Sequence, residues 1–461
     1  MQSAEILKPG ARVCLVGIGG ISMSSLAFAL ARRGDVVWGS DRSQNAMTDR
    51  LEAAGIRVVH EHRGDTVESA DAVIRTAAVH DDNPEVARAR QLGIPVLERA
   101  QAWGDIMRGY RDVVCIAGCH GKSSTTGIAT HIALEAALDP SVMIGAELPV
   151  IGGNYRIGAG ALFLAEACEY CDSFLHFPPT VAVLNNIEED HLDYFKNLEN
   201  IKRSFRKFAE LVPPDGTVAA NRDSENVRDT LAGYGGRVLW FGLGEGCAVT
   251  ARDIVTERGY PAFTLVLPSG ERRVRLRVPG TYNVYNALAA AAAFTALGTD
   301  IDAIARGLAG YGGIARRFEQ CGEVNGAPVV DDYAHHPTAL HELLTAVRAM
   351  GYERILCAFQ PHTYSRTAAL YEDFKAALAL ADVVLLADVY AAREDNVYGV
   401  DMARMAREIE GAEYLGSFEK IAARIRELAR PGDIVLTVGA GDIWQVNRLL
   451  TGDDCKERKG Q

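Results

Sequence analysis

The sequence predicts an α/β protein with three domains, each built on a mostly parallel sheet. Short apolar runs alternate with helical patterns along most of the chain, and each run ends in a polar or glycine-rich turn. Two of these turns, beginning at Gly17 and Gly118, are glycine-rich loops between a strand and a helix. At 461 residues the chain is too long for a single core, so roughly two to four domains are expected.

The first domain, predicted over residues 1–110, has the pattern of a Rossmann-like unit. A strand over 11–16 leads into a glycine turn, a helix over 25–32 follows, and a second strand over 35–39 ends near Asp41. Ser22 stands where a dinucleotide fingerprint has its third glycine. We therefore favour a phosphate-binding turn over an NAD site. Short βα units continue through strands over 72–74 and 94–97.

The second domain, predicted over 111–313, begins with a phosphate-binding loop. A strand over 113–117 is followed by Gly118-Cys119-His120-Gly121-Lys122-Ser123-Ser124 and then by a helical pattern. Backbone N–H groups of such a turn and the next helix N-terminus bind phosphate, Lys122 adds positive charge, and Ser123 offers a hydroxyl to Mg²⁺. The loop is shorter than a standard Walker A loop. The alternative is a glycine turn with an exposed lysine.

Acidic residues follow the strands predicted beside this loop. Glu166 ends a strand over 161–165, and the segment 185–193, which contains His191, follows a strand over 181–185. Parallel strands end at one edge of a sheet, and Mg²⁺ prefers oxygen ligands. Glu166 is thus a candidate ligand, and His191 could serve a second metal ion. The alternative for 185–193 is a solvated acidic turn that caps a helix.

The remaining sequence predicts a β-rich annex over 236–278, an alanine-rich helix over 284–297, a glycine linker at 310–313 and a third domain over 314–461. Strands of the third domain are expected over 327–331, 355–359, 383–387 and 434–438.

His335 and His336 follow the first of these strands, and adjacent side chains of a strand point apart, which argues against a metal-binding pair. Arg366 follows the second and has the geometry to clamp a carboxylate, although it could be an ordinary surface arginine.

Composition excludes several classes of protein. A net charge of −12 argues against a nucleic-acid partner. No signal peptide and no apolar segment of membrane-spanning length is evident, so we expect a cytoplasmic protein without a membrane partner. The nine cysteines are scattered and odd in number, which argues against a disulfide framework. Cys168 and Cys171 are interpreted as two unrelated thiols, because no second pair of ligands lies nearby in sequence.

Taken in order, these motifs resemble those of the Mur ligases over nearly the whole chain. The segments that carry the resemblance are Gly17-Ile18-Gly19-Gly20-Ile21-Ser22-Met23-Ser24, Gly118-Cys119-His120-Gly121-Lys122-Ser123, Glu166-Ala167-Cys168-Glu169, Asn186-Ile187-Glu188-Glu189-Asp190-His191-Leu192-Asp193-Tyr194, Arg316-Arg317-Phe318-Glu319, Asp332-Tyr333-Ala334-His335-His336-Pro337 and Phe359-Gln360-Pro361-His362.

The resemblance implies a UDP-binding N-terminal domain, a central ATPase domain and a C-terminal domain that receives an amino acid. The implied reaction is the ATP-dependent ligation of L-alanine to UDP-N-acetylmuramic acid through an acyl phosphate, in peptidoglycan precursor synthesis. ATP and Mg²⁺ are the implied cofactors, and a monomer or homodimer is expected. The chemistry is reasonable, since a carboxylate forms an amide in water only after its oxygen becomes a leaving group, and Mg²⁺ and Lys122 can hold the charge that develops.

The resemblance also implies individual roles. The catalytic residues are Lys122, Glu166, His191 and Arg366. Metal ligands are Ser123, Glu166 and His191. ATP-binding residues are Gly118, Cys119, His120, Gly121, Lys122, Ser123, Ser124, Asn283, Asn286, Arg317 and Asp332. UDP-sugar residues are Gly17, Gly19, Gly20, Asp41, His62 and Thr76. Amino-acid residues are Tyr333, His335 and Arg366. Lys202 aligns loosely with a lysine that is carbamoylated in sister ligases.

Two departures from the family pattern concern function. Thr363 stands where some relatives have arginine. We therefore expect Arg366 to provide more of the binding of the amino-acid carboxylate. Cys119 replaces threonine, and we expect the helix N-terminus and Lys122 to lower its pKa and make the thiol oxidisable. Three other functions remain open: a ligase that attaches a preformed peptide to the same sugar nucleotide, a non-catalytic nucleotide-binding regulator, and a plain P-loop NTPase.

Overall fold

The computed structural model describes residues 7–76, 79–392 and 394–452. They form a mixed α/β fold with four sheets, three of them mainly parallel. The chain divides into two compact units. The first unit holds the described residues up to Gly145 together with Val150–Phe241 and Ala292–Thr299, and the second holds Ala146–Pro149, Gly242–Ala291 and the residues from Asp300 onward. The α/β prediction is confirmed, whereas the predicted boundaries at 110 and 313 stay predictions.

The first sheet is parallel, with the strand order β3-β2-β1-β4-β5. Its strands are β1 Arg12–Val16, β2 Val36–Ser40, β3 Arg57–Val59, β4 Ala72–Arg75 and β5 Val96–Glu98, and its helices are α1 Ile21–Arg33, α2 Ala46–Ala53, α3 Pro84–Gln91 and α4 Arg99–Met107. Helix α1 begins directly after Gly20, earlier than the predicted start at residue 25. Strand β1 lies between β2 and β4, and this reversal of strand order opens a crevice at their carboxyl ends.

The second sheet has seven strands in the order β12-β11-β10-β6-β9-β7-β8. The strands are β6 Asp112–Ala117, β7 Ser141–Leu148, β8 Gly153–Arg156, β9 Leu162–Glu166, β10 Val181–Leu184, β11 Thr217–Asn221 and β12 Val238–Phe241. The helices are α5 Lys122–Glu135, α6 Leu192–Phe195, α7 Leu198–Glu210 and α8 Glu225–Leu231, with a 3-10 helix over Tyr170–His176. Strand β6 pairs in parallel with both β9 and β10, so the predicted shared edge is confirmed.

The predicted annex is smaller than expected. Val238–Phe241 pairs in parallel with β11, so it is an edge strand of the second sheet and the assignment to the annex was wrong. Its side chains form an unbroken apolar run, which is typical of a parallel strand and not of an alternating hairpin. The annex proper is an antiparallel sheet of β13 Thr250–Glu257, β14 Tyr260–Leu267 and β15 Gly270–Arg275.

The last sheet has the order β16-β17-β21-β18-β19-β20 and is parallel except for the β16–β17 pair. Its strands are β16 Glu319–Val324, β17 Ala327–Asp332, β18 Ile355–Phe359, β19 Val383–Ala387, β20 Ala412–Gly416 and β21 Ile434–Val438. The remaining helices are α9 Tyr282–Ala296, α10 Ile301–Gly310, α11 Pro337–Arg348, α12 Tyr364–Ala369, α13 Tyr371–Leu378, α14 Met402–Arg407, α15 Phe418–Leu428 and α16 Gln445–Thr451. All four strands predicted here are confirmed. Their apolar side chains are buried by helices on both faces, as parallel sheets require.

Candidate active site

The phosphate-binding loop spans residues 118–121, between the end of β6 and the start of α5. Gly118 has a φ of 145° and Gly121 a φ of 79°, both in the region that favours glycine. A Cβ atom on Gly118 would lie 2.9 Å from the Cβ atom of Asn185. Only glycine therefore lets the loop pass this close to the end of β10 before α5 begins.

Asn186 holds the loop from the neighbouring strand end. Its Oδ1 accepts a hydrogen bond from the His120 N–H at 2.8 Å, and its Nδ2 donates to the His120 carbonyl oxygen at 3.1 Å. The Cys119 N–H donates to the Asn186 carbonyl oxygen at 3.3 Å. Sequence reasoning placed Asn186 in a motif without a role, and the structure makes it an anchor of the loop.

Lys122 starts α5 and lies folded over its own loop. Its Nζ donates to the carbonyl oxygens of Gly118 at 2.6 Å and Cys119 at 3.3 Å, and to the two carboxylate oxygens of Glu169 at 2.9 and 3.1 Å. Burial by itself lowers the pKa of Lys122, but the charge and hydrogen bonds of Glu169, together with the nearby thiols of Cys168 and Cys119, outweigh it and raise the pKa. The lysine is therefore a fixed cation at the phosphate loop.

Ser123 and Glu166 form one set of oxygen donors beside this lysine. The Ser123 hydroxyl donates to Glu166 Oε1 at 2.9 Å, and the Gly145 N–H donates to Glu166 Oε2 at 2.7 Å. Glu166 is the last residue of β9, and Ser123 is in the first turn of α5. A hydroxyl and a carboxylate at this spacing suit Mg²⁺, which takes oxygen ligands and usually shares them with phosphate.

His191 lies with a second group of donors. Its Nε2 is 3.7 Å from Glu169 Oε1 and 3.8 Å from Asp190 Oδ2, and one ligand atom from each of the three residues lies within 4.8 Å of the others. The ring of Tyr170 packs on the His191 imidazole, with ring centroids 4.7 Å apart. The residues predicted to bind metal thus fall into two sets, with Ser123 and Glu166 in one and His191 in the other.

The predicted lowering of the Cys119 pKa is wrong. The thiol is buried, donates to the Glu188 carbonyl oxygen at 3.3 Å and accepts from the Glu188 N–H at 3.2 Å. Burial raises the pKa of Cys119, and the charge of Glu169 adds to that effect more than Lys122 offsets it. Cys119 is a structural thiol that joins the loop to the segment after β10.

The structure gives Lys202 other partners. On α7 its Nζ is 3.3 Å from an Asp229 oxygen and 3.5 Å from a Glu199 oxygen. Burial lowers the pKa of Lys202, but these two carboxylates outweigh it and raise the pKa, whereas carbamoylation requires the neutral amine. Cys168 is partly buried and Cys171 is exposed, and their interpretation as two unrelated thiols stays a prediction.

The other glycine loop, residues 17–20, follows β1 in the first sheet. Gly17 has a φ of 82°, and a Cβ atom there would lie 3.0 Å from the Cγ2 atom of Thr76, which follows β4. Asp41, directly after β2, accepts a hydrogen bond from the Gly19 N–H at 2.9 Å. The predicted residues Gly17, Gly19, Asp41 and Thr76 therefore meet at the carboxyl ends of β1, β2 and β4.

His62 has a partner that sequence reasoning missed. Its Nδ1 lies 2.7 Å from Oε2 of Glu85, which also accepts from the Ser40 hydroxyl at 2.7 Å. Glu85 is fully buried in the first turn of α3. Burial raises the pKa of Glu85, against the opposing effect of Ser40 and His62. In the sequence Glu85 is a single acid after a proline, and this pattern does not predict that its side chain is buried.

In the second unit, the predicted nucleotide residues are tied to the local backbone. Asn283 donates to the Pro279 carbonyl oxygen at 2.7 Å, and Asn286 donates to Asn283 Oδ1 at 2.9 Å. The two carboxylate oxygens of Asp332 accept from the N–H groups of Phe318 and Ala334, each at 2.8 Å. Burial raises the pKa of Asp332, and Arg317 opposes the shift.

The residues predicted to bind an amino acid lie among aromatic rings at the ends of β17, β18 and β19. The His335 ring lies 5.3 Å from the Tyr333 ring and 6.0 Å from the His362 ring, measured between centroids. Tyr390 stacks on His362 at 5.4 Å, and Arg366 Nη1 is 3.3 Å from His362 Nδ1. Tyr390 was missed, although its place after β19 was a usable signal.

Comparison with known proteins agrees with this geometry. Models described as the Mur ligase family catalytic domain, the Mur ligase middle domain and the Mur ligase glutamate ligase domain match residues 12–111, 116–294 and 316–441. The chain belongs to the Mur ligase family. Mur ligases are ATP-dependent ligases, so the chain is an enzyme of that class.

The similar proteins cover nearly the whole chain. The UDP-N-acetylmuramate–L-alanine ligase of Acetivibrio thermocellus is 46% identical over 98% of this chain and 98% of that protein. The crystal structure of the UDP-N-acetylmuramate–alanine ligase of Thermotoga maritima is 28% identical, with a TM-score of 0.79 over 95% of this chain and 98% of that one. A murein peptide ligase of Psychrobacter arcticus, 23% identical over 96% of this chain and 98% of that one with a TM-score of 0.69, shares the fold.

Within residues 7–76, 79–392 and 394–452, no helix is both long enough and apolar enough to cross a lipid bilayer.

Proposed function

We propose that this Mur ligase uses ATP to join L-alanine to the carboxylate of UDP-N-acetylmuramic acid, a step of peptidoglycan precursor synthesis. The proposal is supported most by one observation, the meeting of the phosphate loop, Glu166 and His191 at the adjacent ends of β6, β9 and β10. The 46% identity to a ligase of that name over nearly the full length of both chains supports the choice of substrates.

The reaction has two balanced steps. A carboxylate oxygen of the sugar nucleotide attacks the γ-phosphorus of ATP, the bond from that phosphorus to the bridging oxygen breaks, and ADP leaves with the electron pair. The amine of L-alanine then attacks the acyl carbon, the carbon–oxygen bond to phosphate breaks, and the amine gives up a proton. The products are the amide, ADP and inorganic phosphate.

Lys122 and the phosphate loop hold the charge in this scheme. The first N–H groups of α5 bind phosphate oxygens, and the Lys122 ammonium stabilises the negative charge on the transferred phosphoryl group. Glycine at 118 and 121 lets the backbone reach the phosphates without a side chain in between.

The oxygen-rich sets of donors fit Mg²⁺. Ser123 and Glu166 would hold one ion, and His191 with its acidic neighbours Glu169 and Asp190 would hold a second. When bound, Mg²⁺ neutralises phosphate charge during the transfer.

The other predicted residues are proposed to bind the sugar nucleotide, the rest of ATP and L-alanine. The sugar nucleotide binds along the 17–20 loop, with Gly20, Asp41, His62 and Thr76 facing it. Asn283 and Asn286 bind near adenine, Asp332 at the ribose and Arg317 at the phosphates. In the C-terminal sheet, Arg366 pairs with the carboxylate of L-alanine while Tyr333 and His335 enclose its small side chain.

Phosphate release with a panel of amine acceptors tests this proposal. The enzyme is supplied with ATP, Mg²⁺ and UDP-N-acetylmuramic acid, and then with L-alanine, glycine, L-serine or a tripeptide. We expect the largest kcat/KM with L-alanine and no release without an acceptor.

Three outcomes would replace the proposal. A strong preference for the tripeptide would identify a ligase for preformed peptides. Release that continues without sugar nucleotide or amine would identify a plain NTPase. Binding of nucleotide with no turnover under any condition would identify a non-catalytic regulator.

A further inference from the structure

Glu169 is a buried acid at the phosphate loop to which no role has been given beyond the cluster at His191. It lies at the start of the 3-10 helix after β9 and is 1% exposed. Its two carboxylate oxygens lie 2.9 and 3.1 Å from Lys122 Nζ. A buried carboxylate is stable only when it is paired, so Glu169 and Lys122 depend on each other.

The hydrogen atoms of Lys122 are fully used in this arrangement. An ammonium group has three donors, and here four acceptor atoms lie within 3.3 Å of it. These acceptors are the Gly118 and Cys119 carbonyl oxygens and the two oxygens of Glu169. A phosphate oxygen can bind Lys122 only by taking the place of at least one of them.

Glu169 and the phosphates carry charge of the same sign and meet the same ammonium. The carbonyl oxygens belong to the loop that itself binds the phosphates, so the carboxylate is the competing partner. We propose that Glu169 is a positioning residue that holds Lys122 over the phosphate loop and competes with the phosphates of the nucleotide for it. This inference rests on the proposed ATP site.

Two opposite effects follow when the carboxylate is removed. The charge of Lys122 then lacks its buried partner, so the nucleotide phosphates gain in relative affinity for it. The ammonium also loses the group that fixes its direction, so phosphoryl transfer slows. A variant damaged in its fold would instead weaken both binding and turnover.

The test compares Glu169→Gln with Glu189→Gln. Both variants remove one negative charge, but Glu189 is exposed and lies in the segment after β10. Calorimetry measures ADP and ATP binding in EDTA, which removes any metal bridge, and steady-state kinetics measures kcat. For Glu169→Gln we expect nucleotide binding tighter by about threefold to tenfold. Its kcat should fall by about tenfold or more.

Glu189→Gln should match the wild-type chain in both measurements, and Glu169→Asp should return nucleotide affinity towards wild type because it restores the charge. Unchanged or weaker nucleotide binding by Glu169→Gln, beside normal binding by wild type, would overturn this inference alone. Absence of nucleotide binding by the wild-type chain would overturn the proposed function and the inference with it.

Discussion

Two glycine-rich loops of the first unit share a backbone plan and differ in chemistry. Residues 17–20 and 118–121 each join a parallel strand to a helix, and each begins with a positive φ, 82° at Gly17 and 145° at Gly118. Lys122 follows the second loop directly, whereas Ile21 follows the first. Such a loop provides N–H groups for phosphate in both places, so the residues around it decide whether phosphate is only bound or also transferred.

The groups that hold the two loops differ in charge. The Gly19 N–H donates a hydrogen bond to the carboxylate of Asp41, whereas the His120 N–H donates to the neutral side-chain amide of Asn186. A neutral anchor leaves the positive potential of the second loop for a triphosphate. An acidic anchor reduces that potential in the first loop, which suits a ligand with fewer charges.

Lys122→Ala should produce the largest difference between the two loops. Without the ammonium, the charge of the transferring phosphoryl group is not stabilised, and we expect kcat to fall by about 100- to 1,000-fold. Binding of UDP-N-acetylmuramic acid, measured by calorimetry, should stay within about twofold because the first loop is intact. Lys207→Ala, at an exposed position of α7, is the control and should change neither value. Loss of sugar-nucleotide binding would contradict the separation of the two loops.

Gly118→Ala and Gly20→Ala compare the backbones directly. A Cβ atom at 118 meets the Asn185 side chain at 2.9 Å and sits at a positive φ, whereas one at 20 is 3.5 Å from the Gly17 carbonyl oxygen at a φ of −68°. We expect Gly118→Ala to cost about 2 to 3 kcal/mol and Gly20→Ala less than about 1 kcal/mol. Thermal melting measures this difference. Equal melting temperatures would show that the second loop is not constrained by β10.

Glu85→Gln tests how the buried carboxyl group of Glu85, which contacts Ser40 and His62, affects the pH dependence of stability. Burial raises the pKa of Glu85 in the folded chain above its unfolded value, so the folded chain binds the proton more tightly. That contribution to stability is complete below the unfolded pKa and is lost as pH rises through the folded pKa. The melting temperature of Glu85→Gln should therefore rise relative to wild type as the pH increases above about 4, where an unfolded glutamate begins to lose its proton. Glu61→Gln, exposed beside His62, is the control and should follow wild type.

Cys119→Ser should have the smallest effect. The hydroxyl can keep both hydrogen bonds to Glu188, so we expect kcat/KM within about threefold of wild type. In wild type, iodoacetamide near neutral pH should label the exposed Cys171 well before the buried Cys119, as read by peptide mass spectrometry. Rapid labelling of Cys119 with loss of activity would restore the idea of a reactive thiol.

Local patterns in the sequence predicted much of this structure. The strand–loop–helix order at Gly118 and the polar residues after the two strands that flank β6 were sufficient to predict that Lys122, Glu166 and His191 converge, because parallel strands end together. The pairings of Glu169 with Lys122 and of Glu85 with His62 were not predictable. Each joins residues that are far apart in sequence, and only the packed fold determines that these acids turn inward. The pKa of Cys119 was predicted with the wrong sign for the same reason, since burial cannot be read from a loop motif.

The most direct test of the central claim follows oxygen from the sugar nucleotide. UDP-N-acetylmuramic acid is labelled with ¹⁸O in its carboxylate and turned over with ATP and L-alanine, and the released phosphate is analysed by mass spectrometry. Activation of the carboxylate at the 118–121 loop predicts that each phosphate carries one oxygen from that carboxylate. Phosphate free of ¹⁸O, with the label lost to water or kept in the product, would contradict it.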